Sequence, residues 1–401
     1  MRIHTAPLKT DKTLRTMLGP RHLFSMLFLI DRLTEMGGAE LALVRLVRDL
    51  PAKGILPIVI AFQQNVGVEF RDMFSCPLFC LPLPRTYGFA AFRTASKLRA
   101  LIRRYNIELV HTFFETSDIY GGLVTKTLPH VTLISSRRDM GILRTPKHRV
   151  AYRALSWMPD RIVAVSNSVR EWCIREDGFS GNRVVTVYNG VEETPYRTEW
   201  RAERANTRAL LGIDSETISI TAIGHVRRVK GYDLLIHAAQ KVIEYFPHTL
   251  FFIAGDDHEP GTLDRLKQMV TSKLLQNTIR FLGSVHDTKG LLQASDIFVL
   301  PSRSEGFSNA LIEAMMSGLP CVATDVGGNA EAVSHGESGY TVQTEDADAL
   351  ADALLLLLAS KQLRKSMGEA GLQRARNHFT QTAMVDNMVT VYRDTLKTHF
   401  L

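Results

Sequence analysis

Cysteine is scarce in this chain, with four in 401 residues at positions 76, 80, 173 and 321. Only Cys76 and Cys80 are close together, and no second cysteine or histidine pair follows at zinc-site spacing. The sequence therefore encodes neither a disulfide framework nor a structural zinc, and the thiols read as reduced. Long apolar runs are missing too. The longest, LFSMLFLI at 23–30 and ALLLLLAS at 353–360, fall far short of the roughly 20 residues that span a bilayer. The opening MRIHTAPLKTDKTLRTMLGPRH is basic but lacks the apolar core and cleavage site of a secretory signal, so it reads as a cytoplasmic arm, residues 1–22. A G-x-G-x-x-G fingerprint is absent from the first strand–helix turn, which gives no indication of a dinucleotide cofactor.

The remainder is ordinary for a globular chain: 45% hydrophobic and 22% charged. Its charge is lopsided. Residues 1–200 hold 28 Lys and Arg against 18 Asp and Glu, whereas residues 201–401 hold 20 against 23, giving +7 in total. A basic first half points to an anionic partner surface, and lipid at a membrane face suits it better than nucleic acid, because no nucleic-acid motif accompanies the charge. General solubility is the plain alternative.

Apolar strands alternate with amphipathic helices in both halves. LFSMLFLI, ILPIVIAF, IELVHTFF, HVTLISS, RIVAVSN and VVTVYNG form the first set; TISITAIG, TLFFIAG, IRFLG, IFVLP and PCVAT form the second. This rhythm predicts two doubly wound parallel sheets facing a central cleft. The strand-free, charged stretch GVEETPYRTEWRAERANTRALLG sets the expected boundary, with a first domain at 23–195, a second at 196–380, and a final helix at 381–401 packing back on the first.

Four stretches carry the chemistry. In SEGFSNALIEAMMSG, Glu305 and Glu313 flank the entrance to a helix that follows an apolar strand ended by Pro301. Such a loop lies at the carboxyl end of a strand, where ligands bind and the first amides of the helix can hold an anion. Carboxylates accept hydrogen bonds from sugar hydroxyls, so the two glutamates with the amides of Phe307, Ser308 and Asn309 suit a sugar joined to phosphate. In IGHVRRVKGYDLLI, Arg227, Arg228 and Lys230 gather cations at another strand end, as a diphosphate requires, though a solvated turn would look the same. Gly37 and Gly38 open the first helix, where they serve either a close backbone approach to phosphate or a simple turn. Gly327 and Gly328, in ATDVGGNAEAV, make a further turn.

Taken in order, GGAE, NGV at 189–191, GHVRRVKG, SEGFSNALIEAMMSGLP and GGNAE resemble the retaining glycosyltransferases of family four, whose fold is GT-B. The likeness spans about residues 23–380. It implies that Glu313 binds the nucleotide ribose and Glu305 the hydroxyls of the donor sugar. It further implies that Lys230 meets the diphosphate, that Gly38 lies beside the phosphates, and that Gly37, Gly306, Phe307, Ser308, Asn309 and Leu311 belong to the substrate site. Two positions depart from the pattern. His225 stands where an arginine is usual, leaving Arg227, Arg228 or a protonated His225 to supply the charge. HTFFE places His111 but has Phe113 where a second histidine often falls, so His111 is either a catalytic or a structural residue.

The resemblance implies transfer of a sugar from a nucleoside diphosphate sugar, foremost a UDP-sugar, to a cell-envelope or lipid-linked glycan. Lys230, Glu305 and His111 would be catalytic, with no cofactor and no metal. Asp346 and Asp348 formally match a metal-binding Asp-x-Asp, but their position before ALADALLLLLAS suits helix capping. A nucleotide-sugar epimerase of similar fold and a noncatalytic glycan-binding protein are the rival readings.

Overall fold

The computed structural model describes residues 24–34, 37–63, 72–141, 144–193 and 200–399; the basic arm at 1–22 lies outside them. The chain divides into two compact units, residues 1–188 with 381–401, and residues 189–380.

The first unit is built on seven parallel strands: β1 (Phe24–Ile30), β2 (Ile55–Ala61), β3 (Leu78–Cys80), β4 (Ile107–Phe113), β5 (Thr132–Arg137), β6 (Arg161–Ala164) and β7 (Val184–Thr186), ordered 3-2-1-4-5-6-7. Alternate residues of β1 enter different cores, which is the two-residue period of a strand at work. Met26, Phe28 and Ile30 meet the Gly38–Asp49 helix on one face, while Leu27 and Leu29 meet the Gly88–Arg104 helix on the other. With both faces covered, the strands read as continuous apolar runs. The Gln381–His399 helix completes the first face, burying Met384, Val385, Met388, Val389 and Tyr392.

The second unit carries six parallel strands: β8 (Ile218–Ile223), β9 (Thr249–Ala254), β10 (Ile279–Gly283), β11 (Ile297–Leu300), β12 (Cys321–Thr324) and β13 (Gly339–Val342), ordered 10-9-8-11-12-13. Helices Tyr232–Tyr245 and Ala347–Ala359 pack Leu235, Ile236, Leu354 and Leu357 against Ile220, Phe251 and Ile253.

The chain joins this unit at Asn189, earlier than the expected boundary after residue 195, because two contacts bind it there. Val191 bridges to Thr380 and donates its N–H to the Phe379 carbonyl at 3.0 Å. Asn189 Nδ2 donates to the Phe307 carbonyl at 3.2 Å. The stretch read as strand-free linker resumes as a helix, Trp200–Leu210. Among the described residues no helix is long and apolar enough to cross a membrane.

Candidate active site

Strand order reverses between β8 and β11 in the second sheet. Loops leaving the carboxyl ends of strands on either side of such a reversal diverge and leave a crevice for a ligand. After β8 the chain makes a short 3-10 turn, Arg228–Lys230, ended by Gly231 at φ +66°. A Cβ on Gly231 would lie 1.9 Å from the Pro301 carbonyl oxygen, so only glycine lets the β8 loop settle against the end of β11.

That approach pairs Lys230 with Glu305 across the reversal. Lys230 Nζ donates to Glu305 Oε1 at 2.6 Å, and Ser302 Oγ donates to the same oxygen at 2.6 Å. Glu305 is only 9% exposed. Behind them, the Tyr232 hydroxyl donates to the Gly224 carbonyl at 2.7 Å, and burial together with the nearby Glu305 charge raises its pKa far above the usual tyrosine range.

Arg303, which the sequence did not single out, braces this edge. It pairs with Asp233 through two bonds at 2.7 and 2.9 Å, meets Glu345, and donates to the Arg228 carbonyl at 2.8 Å. Hydrogen bonds to Asp233 and Glu345 hold its pKa above the ordinary arginine value. The only sign of it in the sequence is a cation two residues before Glu305.

The glutamate loop passes into the Asn309–Met316 helix through Ser308, whose Oγ accepts from the Leu311 N–H at 3.4 Å. Leu311 is buried, Glu313 is half-buried one turn along, and Phe307 stacks edge-on against Phe379 with ring centres 5.2 Å apart. The Gly327–Gly328 turn after β12 lies against this loop: Gly328 N–H donates to the Gly306 carbonyl at 3.0 Å, and Gly327 adopts φ +54°. The structure therefore gathers Lys230, Glu305, Gly306, Ser308 and Asn309 around three neighbouring strand ends.

The other cations sit nearby on the β8 loop. His225 faces His258 with ring centres 3.8 Å apart. The Arg228 N–H donates to Glu259 at 2.7 Å, and Arg227 keeps a buried Nε without a hydrogen-bond partner. Asp346 caps its helix by accepting from the Ala349 N–H at 2.8 Å, whereas Asp348 is exposed beside Lys241. No group of three or more His, Cys, Asp or Glu side chains with metal-site geometry occurs among the described residues.

In the first unit the order reverses between β1 and β4, and the loops are joined in the same way. Asp31 accepts from the N–H groups of Thr116 and Ser117 at 2.9 and 2.7 Å, and burial raises its pKa against those bonds. Gly37 precedes the Gly38–Asp49 helix without any side-chain cap. The catalytic reading of His111 does not survive. The ring is fully buried, Nδ1 lies 2.8 Å from the Tyr392 hydroxyl and Nε2 lies 2.9 Å from Ser136 Oγ. Burial, aided by the Arg138 charge, pushes its pKa down to about 3. With both ring nitrogens engaged in the core, His111 fixes the Gln381–His399 helix to the sheet and is closed to substrate. Beyond it, Arg137 is buried between Asp118 at 2.5 Å and Asp177 at 3.3 Å; burial opposes its charge, and these carboxylates hold it ionised.

Comparison with known proteins identifies this arrangement. Residues 36–194 match the family described as Glycosyltransferase Family 4, and residues 203–374 match Glycosyl transferases group 1. The chain belongs to these glycosyltransferases. An N-acetyl-alpha-D-glucosaminyl L-malate synthase of Bacillus anthracis is 26% identical over 308 residues, covering 76% of this chain and 79% of the relative. The UDP-Gal:alpha-D-GlcNAc-diphosphoundecaprenol alpha-1,3-galactosyltransferase of Escherichia coli is 24% identical over 306 residues, covering 74% and 78%. Anabaena HepE, solved in complex with UDP-glucose, superposes with a TM-score of 0.81 at 21% identity, over 93% of this chain and all of that one. That likeness gives the glycosyltransferase its fold, the two Rossmann-like units of GT-B.

Proposed function

We propose that this glycosyltransferase moves a sugar from a UDP-sugar to a cell-envelope or lipid-linked glycan, with retention of anomeric configuration, at the inner face of a membrane. The observation that carries the donor half is the Lys230–Glu305 pair spanning the strand reversal of the second sheet at 2.6 Å. A cation and an acceptor oxygen held side by side match a phosphate joined to a hydroxylated ring. The complex of HepE with UDP-glucose supports a uridine donor. The name of the Escherichia coli relative supports a lipid-linked acceptor.

In this reading Glu313 accepts the ribose hydroxyls and Glu305 those of the donor sugar. Lys230, with Arg227 or Arg228 and helix amides, neutralises the charge that grows on the departing diphosphate. The amides of Phe307, Ser308 and Asn309 face the sugar and phosphates. The bond from the anomeric carbon to the diphosphate oxygen breaks as the acceptor oxygen bonds to that carbon on the same face. The acceptor hydroxyl gives its proton to the departing phosphate. No carboxylate nucleophile and no metal ion are required, so a chelator should leave the rate unchanged.

Calorimetric titration of UDP tests the donor site. The wild-type chain should bind it, and Glu313→Ala should weaken binding by about tenfold or more, the scale of a lost charge-assisted pair of hydrogen bonds. Equal affinity would remove the ribose assignment. Conversion of a UDP-sugar to its epimer without acceptor would replace transfer altogether.

A further inference from the structure

We propose that the first turn of the Gly88–Arg104 helix, with the cations that follow on its outer face, is a docking surface for an anionic lipid bilayer. The inference rests on the reading above that the acceptor is met at a membrane, and it names the part of the chain that makes contact.

Three aromatic side chains stand in water at the start of this helix: Tyr87 is 71% exposed, Phe89 77% and Phe92 66%. Phe89 and Phe92 are three positions apart and share the outer face. The inner face, through Ala91, Ala95, Leu98 and Ile102, is buried in the core of the first unit. The backbone carrying the aromatics is held in place, because Thr94 Oγ1 donates to the Pro82 carbonyl at 3.1 Å and the Tyr120 hydroxyl donates to the Ala91 carbonyl at 2.5 Å. The helix is thus anchored while the rings it carries stand in solvent, where an isolated chain gains nothing from them.

The same outer face continues as Arg93, Lys97, Arg103 and Arg104, all exposed. Arg93 lies over the Phe89 ring at 6.0 Å. None of the four forms an ion pair among the described residues, and no Asp or Glu occurs between Met73 and Ile107. Aromatics at one end with unpaired cations behind them fit an interfacial helix: the rings enter the boundary between headgroups and acyl chains while the cations meet lipid phosphates. Single-stranded nucleic acid would call for aromatics interleaved with cations along a groove, whereas here the two kinds are sorted end to end. The helix also opens after the carboxyl end of β3, the edge of the parallel sheet from which the Gly37–Gly38 turn leaves β1.

The test is sedimentation of the full chain with vesicles of equal parts phosphatidylglycerol and phosphatidylcholine, against phosphatidylcholine alone, with UDP titration on every sample. Wild type should sediment with the anionic vesicles only, and added salt should release it. Phe89→Ser with Phe92→Ser, and separately Arg93→Gln with Lys97→Gln and Arg103→Gln, should each lower binding by about tenfold or more. Both should keep the wild-type melting temperature and UDP affinity. Tyr245→Ser, at an aromatic 67% exposed in the second unit, should bind vesicles as wild type does. Loss of UDP binding would count against the donor site and leave the vesicle result intact. Wild-type binding by both multiple variants, or no preference for anionic vesicles, would overturn the docking surface. It would equally be overturned if the phenylalanine variant dissolved a dimer, or lost binding to a single-stranded oligonucleotide, with vesicle binding unaffected.

Discussion

Lys230 and Glu305 are each mostly withdrawn from water, so neither can lose its partner without leaving a charge uncompensated. Lys230→Met should therefore lower the stability of the second unit by about 1–3 kcal/mol in urea unfolding, and slow sugar transfer by about a hundredfold or more. A variant with unaltered transfer would detach this pair from catalysis. His111 makes the opposite case. Its folded pKa of about 3 lies below the ordinary 6.5, so the unfolded chain takes up the proton that the folded chain refuses. Stability contributed by the neutral ring is complete above about pH 6.5 and declines by about 1.4 kcal/mol for each pH unit down to about 3. Melting followed from pH 7 to pH 4 should show this loss, and His111→Gln should flatten the curve; parallel curves would contradict the assignment. The sequence displays both residues but not their settings. Lys230 and Glu305 are separated by a strand–helix alternation that only the folded sheet order brings together, and the burial of His111 comes from Tyr392, on a helix at the far end of the chain.

At the scale of elements, the glutamate loop depends on two local devices. Gly327 sits at φ +54°, and a Cβ there would fall 1.8 Å from the Glu305 carbonyl oxygen. Gly327→Ala should cost about 2 kcal/mol or more and weaken UDP binding, since the turn can relax only by moving Glu305; an unchanged melting temperature would refute the close packing. Ser308→Ala removes a helix cap and should cost about 1 kcal/mol. Eleven of the strands were legible as apolar runs between turn residues, but β3 and β13 were not. Each is an edge strand of three or four residues, Leu78–Cys80 and Gly339–Val342. That is too short to show a period, and pairing with β2 and β12 defines them rather than any propensity of their own. The helix Trp200–Leu210 was hidden in a charged stretch read as a linker, because many of its residues face solvent and the apolar stripe is thin.

At the scale of the whole molecule, the two units differ in how they are closed. The first needs the end of the chain: Met384, Val385, Met388, Val389 and Tyr392 fill its core, so truncation before Gln381 should abolish its cooperative melting, while the second unit, complete at Thr380, keeps its own transition. The division into two doubly wound domains was readable from the repeated strand–helix rhythm, whereas the junction at Asn189 was not, since it is fixed by hydrogen bonds to distant Phe307 and Phe379. The central claim concerns the strand reversal in the second sheet, and a crystal structure of the chain soaked with a UDP-sugar tests it most directly. The diphosphate should lie within hydrogen-bond reach of Lys230 Nζ, with Glu313 on the ribose. A ligand bound with its diphosphate away from Lys230, or on the first unit alone, would contradict the account.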